Sequence, residues 1–450
     1  MMKDRKFDQP TFMLRSAAQL SVMRIRWRIF SFLFGFGFLA YFQNLSITVA
    51  ADRMMPELGL SQFQIGLLVQ AFIVGYAIFQ TPGGVLGQRL GARRTFVIIG
   101  LMAFFATVAT PLAPYVMGGM ALFGVLLSVQ LLLGISQAAI FPVSAGVFET
   151  WFPPNRWAFV QGLQTMGLGL GAAITPPLVA TLTSSIGWQR TLLWTSLPAI
   201  ALIALWAWYG RNTPREHPSV SAEELAEIGD RGAVGVDSHI TLRKVLRLFR
   251  DRNVFLLAIS YLCMNYSFYL LSTWVFLYLI QERKFSSLES GWLAMAPPLA
   301  AAAGAGIGGF LTGIMCKRYG DRWGFRSVPL VALPTAGVLL LVAVSATNPY
   351  VAVFVLALCF GCVELTEGAY WGAAMTVGRS DTMAVSGFMN TGGNLGGIIG
   401  TPIVAYLSGQ HLWRTAFVIG TGFAFASAIT WLGIRAETAV DAEPAQGAVT

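Results

Sequence analysis

The chain has 450 residues, 55% of them hydrophobic and 11% charged. Soluble domains carry about 25% charged residues, and a soluble chain of this length would fold as several domains, each with a polar surface. The charges for such surfaces are missing, so the bilayer is the solvent expected for most of the chain.

A helical span needs about 20 mostly apolar residues. Twelve such stretches follow one another, near 28–51, 62–87, 95–113, 118–148, 157–183, 189–209, 253–280, 289–314, 328–346, 351–377, 383–408 and 412–434. They are long and continuous, unlike the strands of about 10 residues with alternating polarity that build a membrane barrel. The expected fold is an all-α membrane protein. The net charge of +9 does not indicate nucleic acid, because 25 of the 30 Lys and Arg fall on one side of the bilayer if the N-terminus is cytoplasmic. They include Lys3, Arg24, Arg26 and Arg28 before span 1, Arg89, Arg93 and Arg94 after span 2, and Lys317, Arg318, Arg322 and Arg326 after span 8. The positive-inside rule then places both termini in the cytoplasm and the protein in the cell (inner) membrane. The N-terminus has no signal-peptide pattern.

The chain divides into a cytoplasmic N-terminal segment (1–27), a first group of six spans (28–210), a polar cytoplasmic linker (211–252), a second group of six (253–434) and a cytoplasmic tail (435–450). The two groups repeat. Residues 162–182 align without gaps to 387–407 with nine of 21 positions identical, an offset of 225, and the same offset lays Gly83-Gly84-Val-Leu86 on Gly308-Gly309-Phe-Leu311. Two parallel six-helix pseudo-repeats form the layout that places a solute site at the midplane between them.

After span 2 the chain reads Gly84-Val-Leu86-Gly-Gln88-Arg89-Leu-Gly91-Ala-Arg93-Arg94. This resembles the signature loop of the major facilitator superfamily, G-x-L-x-D-R-x-G-R-R/K. The resemblance implies a gating loop made of Gly84, Gln88, Arg89, Gly91, Arg93 and Arg94. The Asp of the pattern is Gln88, and the offset of 225 places Gly313 opposite it in the second repeat.

Tyr41-x-x-x-x-Ser46, Gly134-x-x-x-Ala138-x-x-Phe141-Pro142 with Trp151-Phe152-Pro153, and Gly387-x-x-Asn390-x-x-Gly393-x-Leu395-Gly396-Gly397 are similar to the anion:cation symporter family. Its bacterial members carry sugar acids such as galactonate, glucarate and hexuronates with protons. Four charges expected from that resemblance are replaced. An Asp-Arg pair is Gln43 and Asn44, an Arg is Gln130, and a Glu is Gln137.

Polar residues inside a bilayer are costly and ask for a reason. Gln130, Gly134 and Gln137 share one face of span 4. With Gln43, Asn44, Gln164, Thr165 and Asn390 they read as an uncharged site that hydrogen-bonds a solute; the competing reading is interhelical glue. Tyr41, Tyr370 and Trp371 neighbour these positions and are expected to line the cavity. Glu364 and Glu367 in span 10 are the ionisable residues placed deepest. Two carboxylates this close in a poorly hydrated place cannot both ionise cheaply and titrate as a unit, which suits a proton or cation carrier. Cys359-x-x-Cys362 has a redox or metal spacing, but it sits mid-span in apolar surroundings and reads as packing.

The expectation is a secondary transporter of a small polar organic solute, an organic acid by the resemblance, coupled to protons and monomeric. The alternatives are an uncoupled uniporter, a carrier of a neutral or cationic solute, or a membrane sensor on the same scaffold. Neither an enzyme nor a cofactor or metal site is expected, since the spans hold no His and no nucleophile–base or ligand set.

Overall fold

The computed structural model describes residues 24–229 and 241–437. The N-terminal segment up to residue 23, including Lys3, the middle of the linker and most of the C-terminal tail lie outside the described residues. Among the described residues, nine continuous apolar helical runs are long enough to cross a membrane. Spans 1–6 are Ile25–Leu58, Gln62–Leu90, Ala92–Leu112, Gly119–Ala138 continued by Ile140–Trp151, Trp157–Ile186 and Trp188–Tyr209. Span 7 is Arg252–Gln281. The 50-residue run Ala296–Ser345 holds spans 8 and 9, folded back at Gly320 (φ 73°, ψ 170°). Span 10 is Pro349–Glu364 continued by Glu367–Gly378, span 11 is Thr382–Gly409 and span 12 is Trp413–Trp431.

The repeat read from the sequence has a structural cause. Gly83 lies against Ala139, where a Cβ would come within 2.8 Å of the alanine methyl, and Gly308 lies directly on the carbonyl of Leu365. Ala139 and Leu365 are the points at which spans 4 and 10 break. The second glycine of each pair faces the other half. Gly84 touches the carbonyl of Met383 in span 11, and Gly309 touches that of Ala158 in span 5, 225 residues before Met383. Glycine is required at both positions because backbone meets backbone. The halves therefore meet along two seams, span 2 on span 11 and span 5 on span 8.

Among the described residues, the seams are closed at one end. Cross-half contacts run from Gln80 and Thr81, packed on Gly387, down to Gln88, and from Gly169, packed on Ala302, down to Gly162 and Gly309. Further up the same helices, Gly75, Gly396 and Gly400 pack inside their own half. The closed end is the one that carries Arg89, Arg93, Lys317 and Arg326, here called the basic end.

The loop geometry corrects one sequence alignment. The chain turns between spans 2 and 3 at Gly91 (φ 78°, ψ 154°). Its counterpart in backbone conformation is Gly320, an offset of 229. Counting back from these turns, Arg89 answers to Arg318 and Gln88 to Lys317, not to Gly313. The second repeat carries four more residues, about one helical turn, before its turn glycine. Register counted from the paired glycines in the helices is lost there.

Two short linker helices are tied to the basic end. Ala222–Ile228 presents Glu224 to the first turn of span 1, where the carboxylate accepts from Ile25 N at 3.2 Å and Arg26 N at 3.0 Å, as the positive end of a helix favours. Glu227 pairs with Arg24 and, at 2.7 Å, with Arg26. Leu242–Arg250 packs Phe249 on Phe388 of span 11, ring centroids 4.2 Å apart.

Candidate functional site

Between the halves, above the closed seams, lies a cavity with about 490 Å³ of space between atoms. Both halves line it. Spans 1, 2, 4 and 5 contribute Tyr41, Tyr76, Phe141, Thr165 and Leu168. Spans 7, 10 and 11 contribute Tyr261, Asn265, Phe268 and Tyr269, then Glu364, Glu367 and Trp371, then Asn390 and Asn394.

The break in span 10 places the two glutamates on consecutive helical segments: Glu364 ends one and Glu367 opens the next. Their exposures are 4% and 5%, yet their surroundings differ. Glu367 accepts from Tyr261 Oη at 2.9 and 3.2 Å and from Trp371 Nε1 at 2.8 Å. Glu364 Oε1 has no hydrogen-bond partner among the described residues. Asn390 Nδ2 donates to Gln80 Oε1 of the other half at 2.8 Å, directly beside the Thr81–Thr391 hydroxyl pair, also at 2.8 Å. Asn390 is thus both cavity wall and seam.

The other expected site residues divide sharply. Tyr41, Trp371 and Asn390 line the cavity together with the two glutamates. Gln43, Asn44, Gln130, Gln137, Gln164 and Tyr370 do not. Gln137 Nε2 donates to Gln43 Oε1 at 3.3 Å. Gln164 Nε2 donates to Ser144 Oγ at 2.7 Å and to the carbonyl of Leu33 at 3.3 Å, and its Oε1 accepts from Gln161 at 3.2 Å. It ties spans 1, 4 and 5. Tyr370, fully buried, bonds to Ser260 and Ser427, each at 2.7 Å, and ties spans 7, 10 and 12. Gln130 is buried on span 4, and Asn44 is half-buried on span 1. Gln43, Gln137, Gln164 and Tyr370 thus bond within their own half, which is what interhelical glue does, while Gln43 Nε2 and Gln130 Oε1 have no hydrogen-bond partner among the described residues. Cys359 Sγ likewise donates to the carbonyl of Ala336 at 3.3 Å.

Sequence reading overlooked the wall of span 7. Tyr261, Asn265 and Tyr269 are spaced i, i+4, i+8 and make one polar stripe on one helix face, with Asn390 and Asn394 answering on span 11. That spacing was the available signal.

In the loop after span 2, the residues also separate. Gln88 Nε2 donates across the seam to Asp381 Oδ1 at 2.6 Å and to the carbonyl of Ser380 at 2.7 Å. Asp381 is fully buried and its other oxygen lies 2.7 Å from Lys244 Nζ of the linker. The carboxylate that the signature places on span 2 therefore stands on the opposite side of the seam, and an amide replaces it on span 2 as donor. Arg93 acts inside its own half: its guanidinium donates to the carbonyl of Ala207 at 2.5 and 3.1 Å and caps the end of span 6. Arg326 does the same for the carbonyl of Ile434 after span 12. Arg89 and Arg94 are exposed on the basic end.

Comparison with known proteins agrees with this architecture. The sequence matches the Major Facilitator Superfamily over residues 33–378. It is 30% identical to a protein of Cupriavidus necator described as a probable sulfoacetate transporter, SauU, over 82% of this chain and 84% of that one. It is 27% identical to the probable galactarate/D-glucarate transporter GudP of Bacillus subtilis over 92% and 90% of the two chains. Among solved structures, FucP in the outward conformation superposes with a TM-score of 0.70 at 16% identity, over 91% of this chain and 99% of that one. The proton:xylose symporter XylE superposes with a TM-score of 0.74 at 11% identity, over 92% and 97%.

Proposed function

The chain belongs to the Major Facilitator Superfamily, a transporter and not an enzyme, and from that premise we propose that it carries a small polar organic solute across the cytoplasmic membrane by alternating access, with Glu364 and Glu367 as its proton-coupling pair. The observation that carries this reading is the cavity: both halves line it, and it is sealed on one side by seams that only a rigid-body movement of the halves opens. We take the basic end as cytoplasmic, on the positive-inside rule. In that orientation the closed seams put the protein in its outward-facing state. We take it to work as a monomer, since each chain holds a whole cavity.

Proton coupling rests on the pair in span 10. A buried carboxylate is tolerated when it gains a proton or a partner, and Glu364 has an oxygen with no hydrogen-bond partner among the described residues. The names of the related proteins favour an organic acid. A second reading is favoured by the lining itself, which includes no Lys, Arg or His: a neutral or cationic solute meets no missing counter-charge.

The test is transport in proteoliposomes under an imposed pH gradient. Accumulation of a labelled solute that collapses with the gradient supports coupled transport. Uptake that only equilibrates, gradient or not, replaces it with a uniporter. Failure of every candidate solute to cross, in protein that is folded by thermal unfolding, returns the reading to a sensor on a transporter scaffold.

A further inference from the structure

We propose that the transported solute carries an ammonium group, seated on Glu364 within the aromatic wall of the central cavity. This rests on the transporter reading above and names the chemical class of its cargo.

The first observation is the direction of the hydrogen bonds. Asn265 Nδ2 donates to the carbonyl of Tyr261, and Asn394 Nδ2 to the carbonyl of Asn390, at 2.9 and 2.8 Å. A carbonyl only accepts, so these two amides are fixed with their nitrogens in the backbone. The oxygen of Asn265 is left for the cavity, and that of Asn394 takes the Tyr269 hydroxyl at 2.9 Å. The Tyr261 hydroxyl and the Trp371 indole are spent on Glu367. The wall from spans 7, 10 and 11 therefore offers mainly acceptors, which a solute that brings donors satisfies.

The second observation is Glu364 itself. It is 4% exposed, it borders the cavity, and its Oε1, itself buried, has no hydrogen-bond partner among the described residues. A buried carboxylate without a counter-charge is costly, and a cation that arrives from solution removes the cost. The third is the lining: seven of its fourteen residues are aromatic and none is basic. Aromatic faces attract a desolvated ammonium group and do little for a carboxylate. A neutral polyol would satisfy the acceptors but leave the charge and the ring faces unused.

The placement also sets the sense of coupling. Ammonium and proton compete for the same oxygen, so binding the solute releases a proton and the cycle exchanges one for the other. The other titratable groups facing Glu364 across the cavity are Glu367 on its own span, Tyr41 on span 1, Tyr76 on span 2, and Tyr261 and Tyr269 on span 7. Spans 4, 5 and 11 present none.

The experiment is thermal unfolding and binding titration of the purified full chain against choline, tyramine, sulfoacetate, D-glucarate and D-glucose. Tyramine, whose ammonium brings N–H donors, is expected to raise the unfolding temperature more than choline, whose quaternary nitrogen brings none. Glu364→Gln, an isosteric change, is expected to weaken amine binding at least about tenfold. In the unmodified chain, amine affinity falls as the pH is lowered, because protons compete. That readout serves even if the Glu364 variant fails to fold. Stabilisation by sulfoacetate, D-glucarate or D-glucose with none by the amines overturns the ammonium and leaves the transporter reading intact. Amine affinity that does not change with pH, or that survives Glu364→Gln, also overturns it. A folded chain that responds to no probe of any class overturns this inference and the transporter reading together.

Discussion

The two halves of the molecule use their buried polar residues in different ways. In spans 1–6 the glutamines bond to one another and to backbone: Gln43 with Gln137, and Gln164 with Gln161, Ser144 and Leu33. In spans 7–12 the polar stripe of span 7 and the glutamates of span 10 face the cavity. Both sets look alike as sequence, since each is a run of polar residues at helical spacing in an apolar helix. They differ in what they face. A side chain bonded to a neighbouring helix away from the cavity holds helices together, whereas one with a free oxygen at a cavity can hold a solute. The seam repeats the contrast at the basic end, where Gln88 from one half meets Asp381 and, through it, Lys244 from the linker.

The largest expected effect breaks the coupling side of this contrast. Glu367→Gln should abolish proton-driven accumulation in proteoliposomes while sparing solute exchange; accumulation that stays fully pH-driven removes Glu367 from the coupling pair. Next, Gln88→Asp restores the carboxylate of the family signature but sets it against Asp381. The lost hydrogen bond and the like-charge contact should disfavour the closed basic end by about 1–3 kcal/mol. Single cysteines placed at the two ends should then become more reactive at the basic end and less reactive at the other, and unchanged labelling would show that the Gln88–Asp381 bond does not hold the seam. Gln164→Leu sharpens the distinction between glue and site. It should cost about 1 kcal/mol per hydrogen bond lost and lower the unfolding temperature with no change in solute affinity. A change in affinity at constant stability would move Gln164 into the site.

The smallest expected effect concerns the start of the linker. Burial against Tyr209 and Trp151, with Arg211 adding to it, holds the His217 imidazole below the ordinary histidine value of 6.5. The folded protein then binds fewer protons here than the unfolded chain. Stability should decline as pH falls from that value towards the lowered one and level off beneath it. His217→Gln should flatten this part of the unfolding curve measured against pH, and an identical slope in the variant would assign it to another group.

Much of the architecture was legible because a bilayer imposes a simple rule: each crossing needs an apolar run, and the Lys and Arg collect on one side. The paired glycines were legible too, since only they permit the backbone contacts at Ala139, Met383, Leu365 and Ala158. Of the candidate site, Glu364, Glu367, Trp371, Tyr41, Thr165 and Asn390 could be found by asking which costly side chains an apolar helix retains. Tyr261, Asn265, Tyr269 and Asn394 were missed because Tyr and Asn are tolerated in spans for many reasons.

The amino-acid sequence by itself determined that the chain spans a membrane twelve times, in two repeated halves, with two carboxylates deep in span 10. Local composition and spacing suffice for that, because lipid leaves a helix few alternatives. Tertiary structure decided which polar groups are spent and which are free. It turned Gln164 and Tyr370 into packing, made Asp381 the carboxylate of the seam, and left Glu364 facing a wall of aromatic rings. Those outcomes depend on how helices rotate against each other across the bundle, which spacing along one helix does not encode.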